Sequence, residues 1–271
     1  MNEWVVLDTE STGVEPGSRL IELAGIRFNE SGDVLDRFET LVNPGMPLPA
    51  DVQKVHHIDP AMLTDAPTAG IAIVDFMTWA GVTEFLTSKP KWTFVAHFAR
   101  FDCGLLAWEA QRYGITIAYD APVIDTWAMA KADGSTTDNK LPTLVKHYGI
   151  DVPGDTHRAM ADAEACLRVF LELRKRIEPS PVEWELTGYD YGYPSEFPEP
   201  LAALPDWVAA GAPIQMRYAD SKGAKTDRVI VPYGFAQKDD ALHFHGMCQL
   251  RGERRTFRAD RVSTINELPR G

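Results

Sequence analysis

Cysteine is scarce in this 271-residue chain: Cys103, Cys166 and Cys248 are odd in number and scattered. None belongs to a Cys-x-x-Cys pair, so neither a disulfide framework nor a zinc knuckle is supported, and free thiols in a reducing compartment are expected. Long apolar runs are also missing. The longest weakly charged window, residues 66–83, is broken by Pro67, Gly70, Asp75 and Gly81 and falls short of the ~20 apolar residues of a spanning helix. Met1-Asn2-Glu3 leads into no basic-then-apolar segment, so no signal peptide is expected and a cytoplasmic location is the reading. Positive charge is in deficit, 27 Lys+Arg against 39 Asp+Glu for a net charge of -12. That balance argues against coating nucleic acid by sheer charge and against an anionic membrane as partner. With 45% hydrophobic and 24% charged residues, a disordered or collagen-like chain is excluded.

The charge is unevenly spread. Residues 1–177 hold 16 basic and 25 acidic residues, 178–211 hold 7 acids and no Lys or Arg, and 212–271 hold 11 basic and 7 acidic residues. Two folded units joined by a connector are expected, with bounds 1–177, 178–211 and 212–271. The connector has six prolines together with Trp184, Tyr189, Tyr191, Tyr193, Phe197 and Trp207. A floppy linker is poor in aromatics, so this one is expected to pack its rings against a domain.

In the first unit, Trp4-Val5-Val6-Leu7 ending in Asp8 has the look of a buried strand, followed by strands over 20–28 and 34–42 with a turn at 29–33. Helical patterns then alternate with strands at 92–96 and 122–125, with helices from Thr126 and Leu141 and a last one from about Met160 to Ile177. A meander followed by alternating helices and strands implies an α/β class with a mixed sheet.

Four acids stand where acids cost stability unless they have work to do. Asp8 and Glu10 lie two residues apart on one strand and so share a face. Asp102 sits at a strand-to-helix junction, and Asp162 lies in the first turn of the last helix, five residues after His157. Singly, each could be a cap, a dipole partner or a turn residue. Together, two carboxylates on one face repel unless a cation lies between them. Hard oxygen ligands without cysteine point to two Mg²⁺ or Mn²⁺ ions rather than zinc. Two such ions about 3.5–4 Å apart can activate a water and stabilise the leaving oxygen of a phosphodiester. His157 would be the general base, its ordinary pKa of about 6.5 suiting proton removal near neutrality. His56 and His57 are expected to end a helix beside the site rather than bind metal.

The stretch Leu7-Asp8-Thr9-Glu10-Ser11-Thr12-Gly13 resembles the first motif of the DEDDh exonuclease family. Val95-Ala96-His97-Phe98-Ala99-Arg100-Phe101-Asp102 resembles its second, and His157-Arg158-Ala159-Met160-Ala161-Asp162 its third. The likeness spans about residues 3–177. It implies an RNase H-like fold and metal-dependent 3′→5′ hydrolysis of a DNA or RNA end, releasing nucleoside monophosphates from a strand with a free, single-stranded 3′ end. It carries over Asp8, Glu10, Asp102 and Asp162 as metal ligands and His157 as base, with Ser11, Thr12 and Gly13 seating the terminal sugar. Phe98 stands where the family commonly has Asn, so the ring either stacks on a substrate base or packs into the core. Rival readings are an oligoribonuclease-like enzyme for short RNA and a catalytically silent nucleotide sensor. The intact set of five residues argues against the sensor.

Residues 212–271 read as short strands with turns at 220–223 and 238–240, which suggests a small β-barrel. Five Arg crowd into residues 251–261, with Arg254 and Arg258 on one strand face. Tyr218, Thr226-x-Arg228-x-Ile230-x-Pro232 and the Arg run ending at Arg261-Val262 resemble a WYL domain, an SH3-like barrel. Leu242-His243-Phe244 stands where the family's naming tripeptide would fall. The likeness implies a ligand pocket, often for nucleic acid or nucleotide, built partly on such arginines, with Arg254, Arg258 and Arg261 as the nucleic-acid contacts; the alternative is pairing with neighbouring carboxylates.

Overall fold

A computed structural model describes residues 3–81, 92–115, 121–152, 157–183, 191–238 and 240–268. The chain folds into two compact units. The first comprises residues 1–11, 20–43 and 53–189; the second comprises 12–19, 44–52 and 190–271.

The first unit is built on a mixed sheet. β1 (Glu3–Ser11), β2 (Leu20–Asn29) and β3 (Val34–Leu41) form the expected antiparallel meander. β4 (Thr93–Ala96) and β5 (Pro122–Asp125) add in parallel beyond β1, giving the order β3-β2-β1-β4-β5-β6 with a two-residue antiparallel edge, β6 (Val182–Glu183). The helices are α1 (Ala50–His56), whose first residues belong to the second unit, α2 (Ala69–Trp79), α3 (Ala99–Arg112), α4 (Thr126–Asp133), α5 (Leu141–Tyr148) and α6 (Ala159–Leu173). α2 ends at Trp79, with Ala80 as its C-cap.

The strand period of two decides what covers each face. Val5 and Leu7 of β1 join the core that takes in Ile73 and Phe76 of α2 and Cys103 and Leu106 of α3. Val6 points the other way, into a core with Met129 of α4, Leu144 of α5 and Leu167 and Phe170 of α6. A near-continuous apolar run in β1 is what a strand buried on both faces requires. Asp8 and Glu10 share the parity of Val6 and therefore emerge on the α6 side.

In the second unit β8 (Ile214–Ala219), β9 (Lys225–Lys238), β10 (Ala241–Cys248), β11 (Glu253–Arg258) and β12 (Val262–Glu267) form an antiparallel sheet in the order β11-β10-β9-β8-β12. β7 (Tyr191–Gly192) pairs with the end of β9. Among the described residues the two outer strands do not pair with each other, so the expected SH3-like barrel is here an antiparallel sheet without closure. β9 runs through Pro232 without ending there. A bulge lets Pro232 oppose Gly246 and Gly234 oppose His245, which accommodates a residue with no N–H to give. Of the connector's aromatics, Tyr193 and Phe197 pack edge-on to Phe235 at centroid distances of 5.7 and 5.0 Å. Trp207, on α7 (Leu204–Ala210), donates its indole N–H to Glu267 at 2.8 Å. Trp184 and Tyr189 lie outside the described residues. No helix among the described residues is long and apolar enough to cross a membrane.

Candidate active site

The carboxylates of Asp8, Glu10 and Asp162 each bring an oxygen within 4.8 Å of the others. Two come from the C-terminal end of β1 and the third from the first turn of α6, packed on the same sheet face. Burial raises the pKa of Asp8 well above its ordinary value, reinforced by the charges of Asp102, Asp162, Glu10 and Glu22. Glu10 is pushed up to about 8, chiefly by burial and then by Asp162, Glu22 and Asp102. Burial also raises Asp162, against the pull of His157, whose backbone N–H donates to its carboxylate. Three half-buried acids that repel one another and carry only oxygen donors fit a hard divalent cation.

Asp102 is held differently. It lies on α3, which packs on the opposite face of the sheet, and the Thr9 hydroxyl donates to its Oδ1 at 2.7 Å. Thr9 has the parity that faces α3, so one strand hands Asp8 and Glu10 to one side and steadies Asp102 from the other. Asp102 is 3% exposed and stands outside the 4.8 Å group, yet its charge acts on Asp8. Burial lifts its pKa to about 7, opposed by the Thr9 hydrogen bond. Neither Thr9 nor its partnership is visible in the motif spacing, because the two residues are 93 positions apart.

His157 is exposed and adopts a left-handed backbone, φ 65°. Together with Asp162 it lines a cavity of about 230 Å³ that Leu141, Val145 and Lys146 also border. Behind it, Arg158 Nε donates to both oxygens of Glu22 at 3.0 and 3.1 Å, and the Ala159 N–H donates to Glu22 Oε2 at 2.9 Å. The Glu22 side chain is fully buried. Sequence reasoning missed this residue, although a glutamate inside the apolar run Leu20-Ile21-Glu22-Leu23-Ala24 is a signal that could have found it. His97, by contrast, is pushed down to about 4 by burial and hydrogen-bonds Thr126. His56 ends α1 and is buried, its Nδ1 accepting from the Ile58 N–H.

The other candidates fall in different surroundings. Ser11 closes β1 opposite Leu20. Thr12 is fully buried; its hydroxyl oxygen accepts from the Arg19 N–H, and its own N–H donates to the Arg19 carbonyl. A Cβ on Gly13 would meet Arg254 Nη1 at 2.5 Å and Glu15 Oε2 at 2.6 Å, so a larger residue there would displace the tips of these two side chains. Within the second unit Arg254 bonds Asp51 at 2.6 and 2.8 Å and Glu15 at 3.1 Å, and it lies 4.7 Å from the Tyr233 ring centroid. Arg258 pairs with Asp260 at 2.7 Å, and Arg261 is half-buried. Phe98 is not in the core; it is 47% exposed.

The profile of the exonuclease family termed RNase_T matches residues 5–170, a stretch containing Asp8, Glu10, Asp102, His157 and Asp162. The chain belongs to this exonuclease family. A WYL domain matches residues 199–267. The chain is 31% identical over 177 residues to the DNA polymerase III PolC-type of Staphylococcus saprophyticus, covering 65% of this chain and 12% of the relative. The corresponding Staphylococcus epidermidis protein is 30% identical over the same length. The exonuclease chain thus spans only about an eighth of these relatives. Among solved structures, the nuclease domain of 3′hExo, a DEDDh family member bound to rAMP, superposes with a TM-score of 0.59 at 18% identity, over 67% of this chain and 96% of that one. Exonuclease I of E. coli in complex with a dA16 oligonucleotide gives 0.55 at 15% identity, over 91% and 55%. At these identities the likeness is one of fold, the RNase H-like exonuclease fold.

Proposed function

We propose that this exonuclease is of the DEDDh type and removes nucleoside monophosphates from the 3′ end of a single strand with the help of two Mg²⁺ or Mn²⁺ ions. The observation that carries the reading is the convergence of Asp8, Glu10 and Asp162 within 4.8 Å, next to an exposed His157. Asp8, Glu10 and Asp162 would hold the ions, and Asp102, braced by Thr9, would complete the set. Bound there, such ions supply a more acidic water and neutralise the leaving oxygen. His157 takes the proton of the attacking water at its imidazole, and the P–O bond to the leaving 3′-oxygen breaks as the new P–O bond forms. Asp162, by accepting the His157 N–H, ties the base to the ligand set. Ser11, which closes β1 directly after Glu10, would help to seat the terminal sugar.

The test is a side-by-side assay of labelled single-stranded DNA, duplex DNA and short RNA with Mn²⁺. Shortening from the 3′ end with mononucleotide release, stopped by EDTA, is expected. His157→Ala should lose turnover by about 10²–10⁴-fold while Mn²⁺ binding by calorimetry persists. No cleavage of any strand by the wild-type protein would overturn the reading.

A further inference from the structure

The second motif carries a feature that the metal site does not use. Among the described residues the non-glycine residues at positive φ are His57, Phe98, Asn139 and His157. Asn and His enter the left-handed region comparatively readily; a bulky aromatic there is an outlier. Phe98 nonetheless sits at φ 62°, ψ 52°, as the N-cap of α3. The conformation is imposed by its surroundings. Asp125 Oδ1 accepts from the Phe98 N–H at 3.0 Å and from the Trp127 N–H at 2.9 Å, so one carboxylate oxygen fixes the chain at both residues. Asparagine would meet the same backbone demand with less strain.

The ring does not recover that cost by burial. It remains 47% exposed, and its ring contact is edge-to-face with Trp127, centroids 5.8 Å apart and planes at 73°. Trp127 is itself only half-buried, and Lys131 places its ammonium 5.3 Å from the indole centroid. Strain that is retained at an exposed ring, four residues before Asp102 at the N-cap of the helix that carries it, is the pattern of a ligand contact rather than of folding.

We infer that Phe98 and Trp127 form a stacking platform for a nucleobase of the single strand entering the metal site. The face of Phe98 that is not against Trp127 supplies the stacking surface, and Lys131 lies where a neighbouring phosphate oxygen could be neutralised. Stacking is tolerant of base identity because every base offers a π-face. The inference rests on the exonuclease reading above, and the experiment separates the two.

The full chain is assayed with Mn²⁺ on a labelled single-stranded oligonucleotide, intact or with one abasic nucleotide moved through the four 3′-terminal positions. Wild type, Phe98→Ala and Phe98→Asn are compared for kcat, KM and Tm. The wild type should show a KM raised about tenfold at one abasic position. Both variants should show that rise on the intact strand and no further rise at that position. Phe98→Asn, relieved of strain, should also melt about 2–4 °C above the wild type. Wild-type KM values and the wild-type abasic profile in both variants would overturn the platform while leaving the exonuclease reading intact. A wild-type protein that cuts no strand would overturn both.

Discussion

Removing Arg158 should damage both the fold and the chemistry, by separable amounts. Its guanidinium meets Glu22 through Nε at 3.0 and 3.1 Å and through Nη2 at 2.5 Å, while the Arg158 side chain is 30% exposed and that of Glu22 is fully buried. In Arg158→Ala, Glu22 keeps the Ala159 N–H but loses its counter-charge inside the protein. Breaking a buried pair from one side costs about 3–5 kcal/mol. Because Arg158 is partly open to water, which can refill the space, about 2–3 kcal/mol is the better figure. For a protein of this size that is a fall in Tm on the order of 5–10 °C. The kinetic effect comes through the neighbouring residue. His157 is held in the left-handed region at φ 65°, and the Arg158–Glu22 pair is the anchor immediately after it. Once released, the backbone relaxes away from the left-handed region and takes the imidazole with it. We expect kcat to drop at least tenfold, measured 20 °C below the variant's own Tm so that unfolding does not enter. Replacing both partners, Glu22→Leu with Arg158→Met, should recover most of the stability but not the turnover. Wild-type kcat in Arg158→Ala at that temperature would refute the anchoring argument, whatever its Tm.

Metal-free stability should fall as the pH rises. Glu10 is raised from its ordinary 4.5 to about 8 and Asp102 from 3.8 to about 7 in the folded state, so the fold holds protons that the unfolded chain releases. That stability is fully present below about pH 4 and is lost as the pH climbs through 7 to 8. Melting curves in EDTA from pH 4 to 8.5 should therefore slope downward, and saturating Mn²⁺ should flatten the slope; a flat EDTA profile would contradict the raised pKa values. Arg254→Ala should destabilise the second unit by about 2 kcal/mol, since its guanidinium joins Asp51 and Glu15 and covers Tyr233. Its salt dependence of strand binding should match the wild type. A slope reduced by about one would instead mark Arg254 as a phosphate contact.

What was legible in the sequence was whatever a local period or a fixed spacing encodes. The parity of Asp8 and Glu10 follows from the strand repeat, and the five-residue step from His157 to Asp162 follows from a loop feeding the first turn of a helix. The meander and the alternation of helices with strands were legible for the same reason, and the starts of α4 and α5 fell at the expected residues. The closing strands escaped notice because β6 and β7 are two residues each and carry no period. β12 escaped because its exposed polar residues resemble a tail.

The supports of the site were hidden for a different reason: each is a pairing between distant residues that look ordinary alone. Thr9 reads as a strand residue until α3 brings Asp102 to its hydroxyl, and Arg158 reads as surface charge until β2 presents Glu22 from 136 positions away. The segment Thr12–Arg19 follows β1 directly in the sequence, yet it belongs to the C-terminal unit, where Arg254 donates to Glu15. Phe98 is the instructive case. The sequence marked it only as a departure from Asn and left stacking and core packing both open. Its left-handed φ and its exposure remove core packing, because a core residue would have recovered in burial what its backbone costs. The ligands of such a site are thus written in motifs, while the residues that aim them are written in contacts that only the fold brings about.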